Sequence, residues 1–243
     1  MVDNLLYRHD GSIMAHNSPT NTNMGKQRRV KILNRGLFVV VEGSEGRGKT
    51  TLVENIVCEL SDVLHPKANR RLLVDTAAYP VRTSITGMKI DDMLKGKIPF
   101  DSILMQSLHI ANKIEEMDSL KGMLNNNDIV VLDRYTPSSY VYCELTGVPY
   151  EWIHKTHKVL PEPDLTIILT GKYFGTKSSE VYDSKQAEIE SLYLKCAQRF
   201  GWQVVSNDLP PDELAKKVAD ILLRTFTARL YPDNQKAMCQ CCD

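Results

Sequence analysis

The octapeptide Gly43-Ser44-Glu45-Gly46-Arg47-Gly48-Lys49-Thr50 has the G-x-x-x-x-G-K-[ST] spacing of a phosphate-gripping loop. Its glycines let backbone N–H groups turn inward around phosphate oxygens, and the helix such a loop opens adds the partial positive charge of its N-terminus. Lys49 has the reach for the β- and γ-phosphates of a nucleoside triphosphate, and the Thr50 hydroxyl is placed to ligate Mg²⁺. Ser44 and Thr51 flank the same phosphates. Arg47 is an additional cation within the loop, and the motif does not define where it points.

A gripped triphosphate can serve a switch, a motor or a kinase. A GTPase needs a guanine-reading N-K-x-D after a late strand. The nearest approach, "NKIE" at 112–115, ends in Glu and lies within a helical pattern. A motor ATPase needs a carboxylate pair with a polarising Glu, whereas the segment "VVLDRY" places Asp133 directly before Arg134. Asp133 is a second candidate for orienting Mg²⁺, beside Thr50. An Arg next to it suits a second phosphate held close to the first, which points towards a kinase.

These groups need a scaffold, and the chain supplies an alternation. Short apolar runs at 37–41, 71–75, 128–133, 165–169 and 202–206 are rich in β-branched residues and nearly continuous, as in parallel strands covered on both faces. Between them lie amphipathic stretches. One helix is expected across 100–124, where Ile103, Leu104, Leu108, Ala111, Met117, Leu120 and Leu124 recur at three- and four-residue spacing. Another runs through 211–227 from a "PPDEL" start. The expected architecture is α/β: a doubly wound five-stranded parallel sheet with helices on both faces and a short lid.

The chain has 243 residues and zero formal net charge, so no global field draws it to nucleic acid or an anionic membrane. No apolar run approaches the roughly 18 residues of a membrane span. Residues 1–35 are polar and read as a flexible extension, 36–230 as the phosphate-loop domain, and 231–243 as a tail. Asp3 and Asp10 weigh against a mitochondrial presequence. Cys58, Cys143 and Cys196 fall singly in helical patterns as small apolar residues, and Cys239, Cys241 and Cys242 crowd the tail. That cysteine usage fits a reduced, cytoplasmic setting, with mitochondrial or nuclear placement as alternatives.

Five segments in order then resemble the thymidylate kinase family, of the nucleoside monophosphate kinase class. They are "VVVEG" before the loop, "YPVRTSITG" at 79–87, "DRYTPSSYVY" at 133–142, "LPEPDLTIIL" at 160–169 and "SEVYD" at 179–183. The resemblance implies ATP and Mg²⁺ as cofactors, dTMP as acceptor, and a homodimer. It also implies roles for particular residues. Arg82, with Tyr79 in the same segment, would hold the acceptor's 5′-phosphate, and Arg134 would contact that phosphate or the one in transit. Glu45 would accept a hydrogen bond from the sugar 3′-hydroxyl. Tyr182 would pack against the sugar's 2′ carbon, and Ser138 and Tyr142 would line the acceptor pocket.

Two departures from the family pattern stand out. Where members typically carry Phe and, four residues on, Arg to stack on and hydrogen-bond the base, this chain has His109 and Lys113. Both still share one helix face, but Lys lacks the planar fork of Arg. Gly46 stands where some members have a catalytic Arg, and Arg47 follows one position late. The cation that stabilises the transferring phosphoryl is left open between Arg47, Lys172 and Lys177. A deoxynucleoside kinase and a silent nucleotide-binding relative are the competing readings.

Overall fold

A computed structural model describes residues 35–175 and 182–232. The polar extension up to residue 34, the lid residues 176–181 with Lys177, and the tail from 233 with its three cysteines lie outside the described residues.

Five parallel strands form the sheet: β1 (Leu37–Glu42), β2 (Val74–Ala78), β3 (Ile129–Asp133), β4 (Leu165–Thr170) and β5 (Gln203–Ser206). Their spatial order is β2-β3-β1-β4-β5. Eight helices connect and cover them among the described residues: α1 (Lys49–Ser61), α2 (Ile85–Leu94), α3 (Ser102–Glu115), α4 (Met117–Asn126), α5 (Thr136–Thr146), α6 (Tyr150–Thr156), α7 (Gln186–Phe200) and α8 (Pro211–Leu230). No helix among the described residues is long and apolar enough to cross a membrane.

Strand side chains alternate between two apolar layers, as the pleat requires. Leu37, Val39 and Val41 of β1 pack with Leu52, Ile56 and Leu60 of α1 and Leu214, Val218 and Leu222 of α8. Phe38 and Val40 face the other way, onto Leu120 and Leu124 of α4. Helices on both faces bury β1 and β3 completely, which is why these strands read as unbroken apolar runs. Arg35, at the edge of the expected extension, already belongs to the fold, because its guanidinium donates to Asp164 at 2.9 Å.

The structure corrects three sequence expectations. β2 covers 74–78 rather than 71–75. It is an edge strand with half-covered side chains, so an apolar run is not its signature, and the 70–73 segment is bound instead by Asp128, which accepts from Leu73 N and Arg70. The single helix expected over 100–124 is two, α3 and α4, broken at Glu116. The apolar spacing continues through the break, yet the halves serve different cores: Met105 packs with Ile90 and Met93 of α2, and Leu120 with the sheet. Cys143 and Cys196 are buried, but Cys58 is exposed, two residues on from buried Ile56 and so round the far side of α1.

Candidate active site

The phosphate loop leaves the carboxyl end of β1, in register with the end of β3 through Val41 and Asp133. Gly43 has φ 140°, and a Cβ there would lie 2.3 Å from the Leu169 carbonyl, so only glycine lets the loop turn this close to β4. Gly48, at φ 83°, is the left-handed residue that opens α1. Lys49 is buried and donates to the Ser44 carbonyl at 2.7 Å. Burial, with the nearby Arg134 charge, lowers its pKa to about 7; Asp133, Glu42 and Glu45 pull the other way.

Thr50 Oγ1 donates to Asp133 Oδ2 at 2.6 Å. Asp133 Oδ1 is buried and has no partner among the described residues. An orphaned carboxylate oxygen beside a hydroxyl fits a hard cation such as Mg²⁺, which typically takes one or two protein oxygens and completes its shell with phosphates and water. No cluster of three or more His, Cys, Asp or Glu among the described residues offers an all-protein cage.

Arg134 is the one non-glycine residue at positive φ among the described residues, at 66°. Such a conformation costs roughly 1–3 kcal/mol in a non-glycine residue and persists where the surroundings enforce it. Its N–H donates to Val41 O at 2.9 Å. Its guanidinium reaches Gly43 O at 3.3 Å and Tyr193 OH at 3.4 Å, which places it beside the loop. Burial opposes its charge, but Tyr193, Tyr142, Glu42 and Asp133 outweigh that and hold it protonated.

Glu42, the acid of "VVVEG", is an anchor. Fully buried, it accepts from Tyr135 N at 2.8 Å, Ser138 N at 3.1 Å, Ser138 Oγ at 2.7 Å and Tyr193 OH at 2.9 Å. One carboxylate thereby ties the end of β1 to the first turn of α5 and to α7. Ser138 has its hydroxyl committed to this network and also borders a cavity beside the loop.

A cavity opens beside the loop, walled by α3, α5, the 79–82 segment, Glu45 and Tyr182. Tyr79, Arg82, His109, Lys113, Arg134 and Tyr142 all line it. Lys113 is 3% exposed and donates to His109 O at 3.1 Å and Ser139 Oγ at 3.3 Å. Burial lowers its pKa to about 8. Burial also pushes His109 down to about 3, aided by the Lys113, Arg134 and Arg82 charges, so its imidazole is neutral. Tyr142 and Tyr182 meet with ring centroids 5.0 Å apart. Arg82 is half-exposed and paired with Asp91 on α2.

Asn112, fully buried on α3, holds the segment that carries Arg82. Its Oδ1 accepts from Val81 N at 2.9 Å, and its Nδ2 donates to Val81 O at 3.2 Å, Ser84 Oγ at 2.8 Å and Thr86 Oγ1 at 3.2 Å.

A second cavity lies against Gly46, Arg47, Thr50 and Thr51, with Phe174 and Leu209 also lining it. Arg47 Nε donates to Ser44 Oγ at 3.0 Å, and its guanidinium also bonds Gly171 O and pairs with Glu190 of α7. It therefore staples the loop to the base of the lid. Asn207 completes the staple, donating to Arg47 O at 2.9 Å and Lys172 O at 2.8 Å. Lys172 itself is exposed.

Sequence inspection picked out the loop, Asp133, Arg134 and most of the acceptor wall. It passed over Asn112, Gln106, Ser139, Tyr193 and Asn207. The apolar stripe expected in α3 does not mark its two, because Ile103 and Leu104 are exposed and the buried face carries Met105, Gln106, Ile110 and Asn112 instead.

A phosphate loop with two cavities sharing it, on a parallel sheet of order 2-3-1-4-5, defines a P-loop phosphotransferase fold. The family model described as thymidylate kinase matches residues 41–173, and the chain belongs to that family. A thymidylate kinase of Dictyostelium discoideum is 26% identical over 216 residues, covering 85% of this chain and 93% of that protein. One from Schizosaccharomyces pombe is 32% identical over 136 residues, covering 56% and 61%. Among solved structures, the thymidylate kinase of Candida albicans shares the fold with a TM-score of 0.65 at 20% identity, covering 79% of this chain and 94% of that one. That of Ehrlichia chaffeensis gives 0.61 at 18%, covering 77% and 98%.

Proposed function

We propose that the protein transfers the γ-phosphoryl group of ATP to dTMP, giving dTDP and ADP. The observation that carries this reading is a second cavity beside the loop: Arg82, Arg134, Lys113 and the imidazole of His109 converge in its lining, and Glu45 of the loop borders them. A hydrolase or switch has no use for such a second pocket.

The donor triphosphate lies along residues 43–51, with Lys49 on its β- and γ-phosphates. Mg²⁺, held by Thr50 and Asp133, would neutralise phosphate charge. Arg134 and Arg82 orient the acceptor phosphate. One of its oxygens forms the new bond to the γ-phosphorus as the bond to the β–γ bridging oxygen breaks, with ADP as leaving group. No side-chain nucleophile is needed, because positioning and charge stabilisation supply the acceleration. Glu45 takes the sugar 3′-hydroxyl, and Tyr182, with Tyr142 behind it, leaves no room for a ribose 2′-hydroxyl. Neutral His109 stacks on the base and Lys113 donates to it. The cation that stabilises the transferring phosphoryl is one of Arg47, Lys172 and Lys177. Arg47 is also committed to Glu190, so a catalytic part for it requires that pair to open.

We also propose a homodimer through α2 and α3. Ile85, Met88, Ile103, Leu104 and Ile114 of these two helices are exposed, an apolar surface that a partner copy would cover. Light scattering of wild type and Ile103→Glu tests this: a mass that falls to 27.5 kDa in the variant supports it, and a monomeric wild type refutes it.

The activity is tested by offering dTMP, dUMP and thymidine in parallel with MgATP and following ADP. Turnover of dTMP is expected. Turnover of thymidine without dTMP would replace the reading with a nucleoside kinase.

A further inference from the structure

Gln106, His109 and Lys113 occupy positions i, i+3 and i+7 of α3, one face of the helix, and all three border the acceptor cavity. Gln106 is 2% exposed, and its Oε1 is buried with no hydrogen-bond partner among the described residues. The other buried polar side chains of α3 are engaged: Asn112 with the 81–86 segment, and Lys113 with His109 O and Ser139 Oγ. A carboxamide buried without a partner lowers the stability of the ligand-free protein unless something else satisfies it. Its position on the cavity wall indicates what that is.

Resting on the dTMP reading above, we infer that Gln106 reads the imide edge of the acceptor base. The edge of thymine presents O4, N3–H and O2 in line. A carboxamide matches the N3–H and O2 pair with two parallel bonds, its oxygen accepting from N3–H and its NH₂ donating to O2. Oxygen and nitrogen can exchange places by a half-turn of the side chain, so this pairing needs no backbone movement. Lys113, two helical turns along, takes the other end at O4. The two Cα atoms lie about 10.5 Å apart along the axis. Lys113 leans back along the helix, with its Nζ at His109 O, one turn nearer to Gln106, and so closes most of that distance.

The arrangement selects by hydrogen-bond polarity. Cytosine carries a lone pair at N3 and an amino group at position 4, so it would face the Gln106 oxygen with an acceptor and the donor-only Lys113 with a donor. Both positions reject it. Uracil has the same edge as thymine and passes. Gln106 thus supplies part of the base recognition that a planar Arg fork provides elsewhere, and Lys113 need not bind bidentately.

The test compares dTMP with its N3-methyl analogue, which lacks the N3–H donor and keeps both carbonyls. Wild type is expected to lose about 10- to 100-fold in kcat/KM on the analogue, mainly through KM, the loss typical of an unpaired buried polar group. Gln106→Leu should lower kcat/KM for dTMP by a similar factor and treat the two acceptors alike, and Gln106→Asn should restore part of the discrimination. Equal use of both acceptors by wild type overturns the inference, even if Gln106→Leu does not fold. So does a Gln106→Leu enzyme that discriminates as wild type does. A wild type that turns over other monophosphates but not dTMP overturns the underlying reading and this inference with it.

Discussion

The donor loop and the acceptor cavity share a border at Glu45 but are built on opposite plans. The loop is one octapeptide whose grip comes from backbone N–H groups, and its demands fall on glycines, as at Gly43, where a Cβ has no room. The cavity is assembled from segments far apart in the chain, and side chains do its binding. Backbone machinery must keep its residues contiguous, so it leaves a motif. Side-chain machinery leaves no contiguous motif, and its walls depend on buried braces. Those braces are Asn112, which holds the segment bearing Arg82, and Glu42, which holds the first turn of α5.

The largest effect that would separate the two regions is at Lys49. Lys49→Met should lower kcat by about 10³-fold, the scale of losing a charge-stabilising donor, while dTMP binding measured by calorimetry stays within a factor of a few. A comparable loss of dTMP affinity would mean that the loop organises both pockets.

Asn112→Leu probes the opposite side. It leaves the Val81 N–H without its partner, takes one bond each from Ser84 and Thr86, and should cost about 2 kcal/mol of stability in a denaturant titration. The KM for dTMP should rise about tenfold as Arg82 loses its aim, with the KM for ATP unchanged. Parallel increases in both KM values would break the distinction.

Smaller effects come from titration. Lys113, lowered to about 8, is charged below that pH and neutral above it. kcat/KM for dTMP should therefore fall several-fold as pH rises from 7 to 9, and Lys113→Met should remove that limb of the profile. Lys49, at about 7 in the free protein, is largely neutral at pH 8, and bound phosphates would raise its pKa again. ATP binding at pH 8 should then take up as much as about one proton, read from calorimetry in buffers of different ionisation enthalpy. dTMP binding should show no uptake at Lys49.

The same division explains what could be read from sequence. β1, β3 and β4 are flanked by other strands in the sheet, so their apolar runs were unmistakable. β2 at the sheet edge was misplaced by three residues because its side chains are half covered. The break at Glu116 was invisible because the apolar period runs straight through it, although α3 and α4 pack on different cores. In the site, Lys49, Thr50, Asp133 and Arg134 were legible as motif positions. Asn112 and Gln106 were not, because a buried polar residue has a meaning only once its partners, or their absence, are known.

The left-handed backbone at Arg134 has an evolutionary consequence. Glycine adopts that conformation freely, so Arg134→Gly relieves local strain of about 1 kcal/mol, set against two long guanidinium bonds, while deleting the cation between the pockets. A screen that rewards thermal robustness alone would drift towards glycine here and enrich folded, inert molecules. With the acceptor-phosphate role proposed above for Arg134, selection for turnover rather than for stability would be what keeps an arginine at this position.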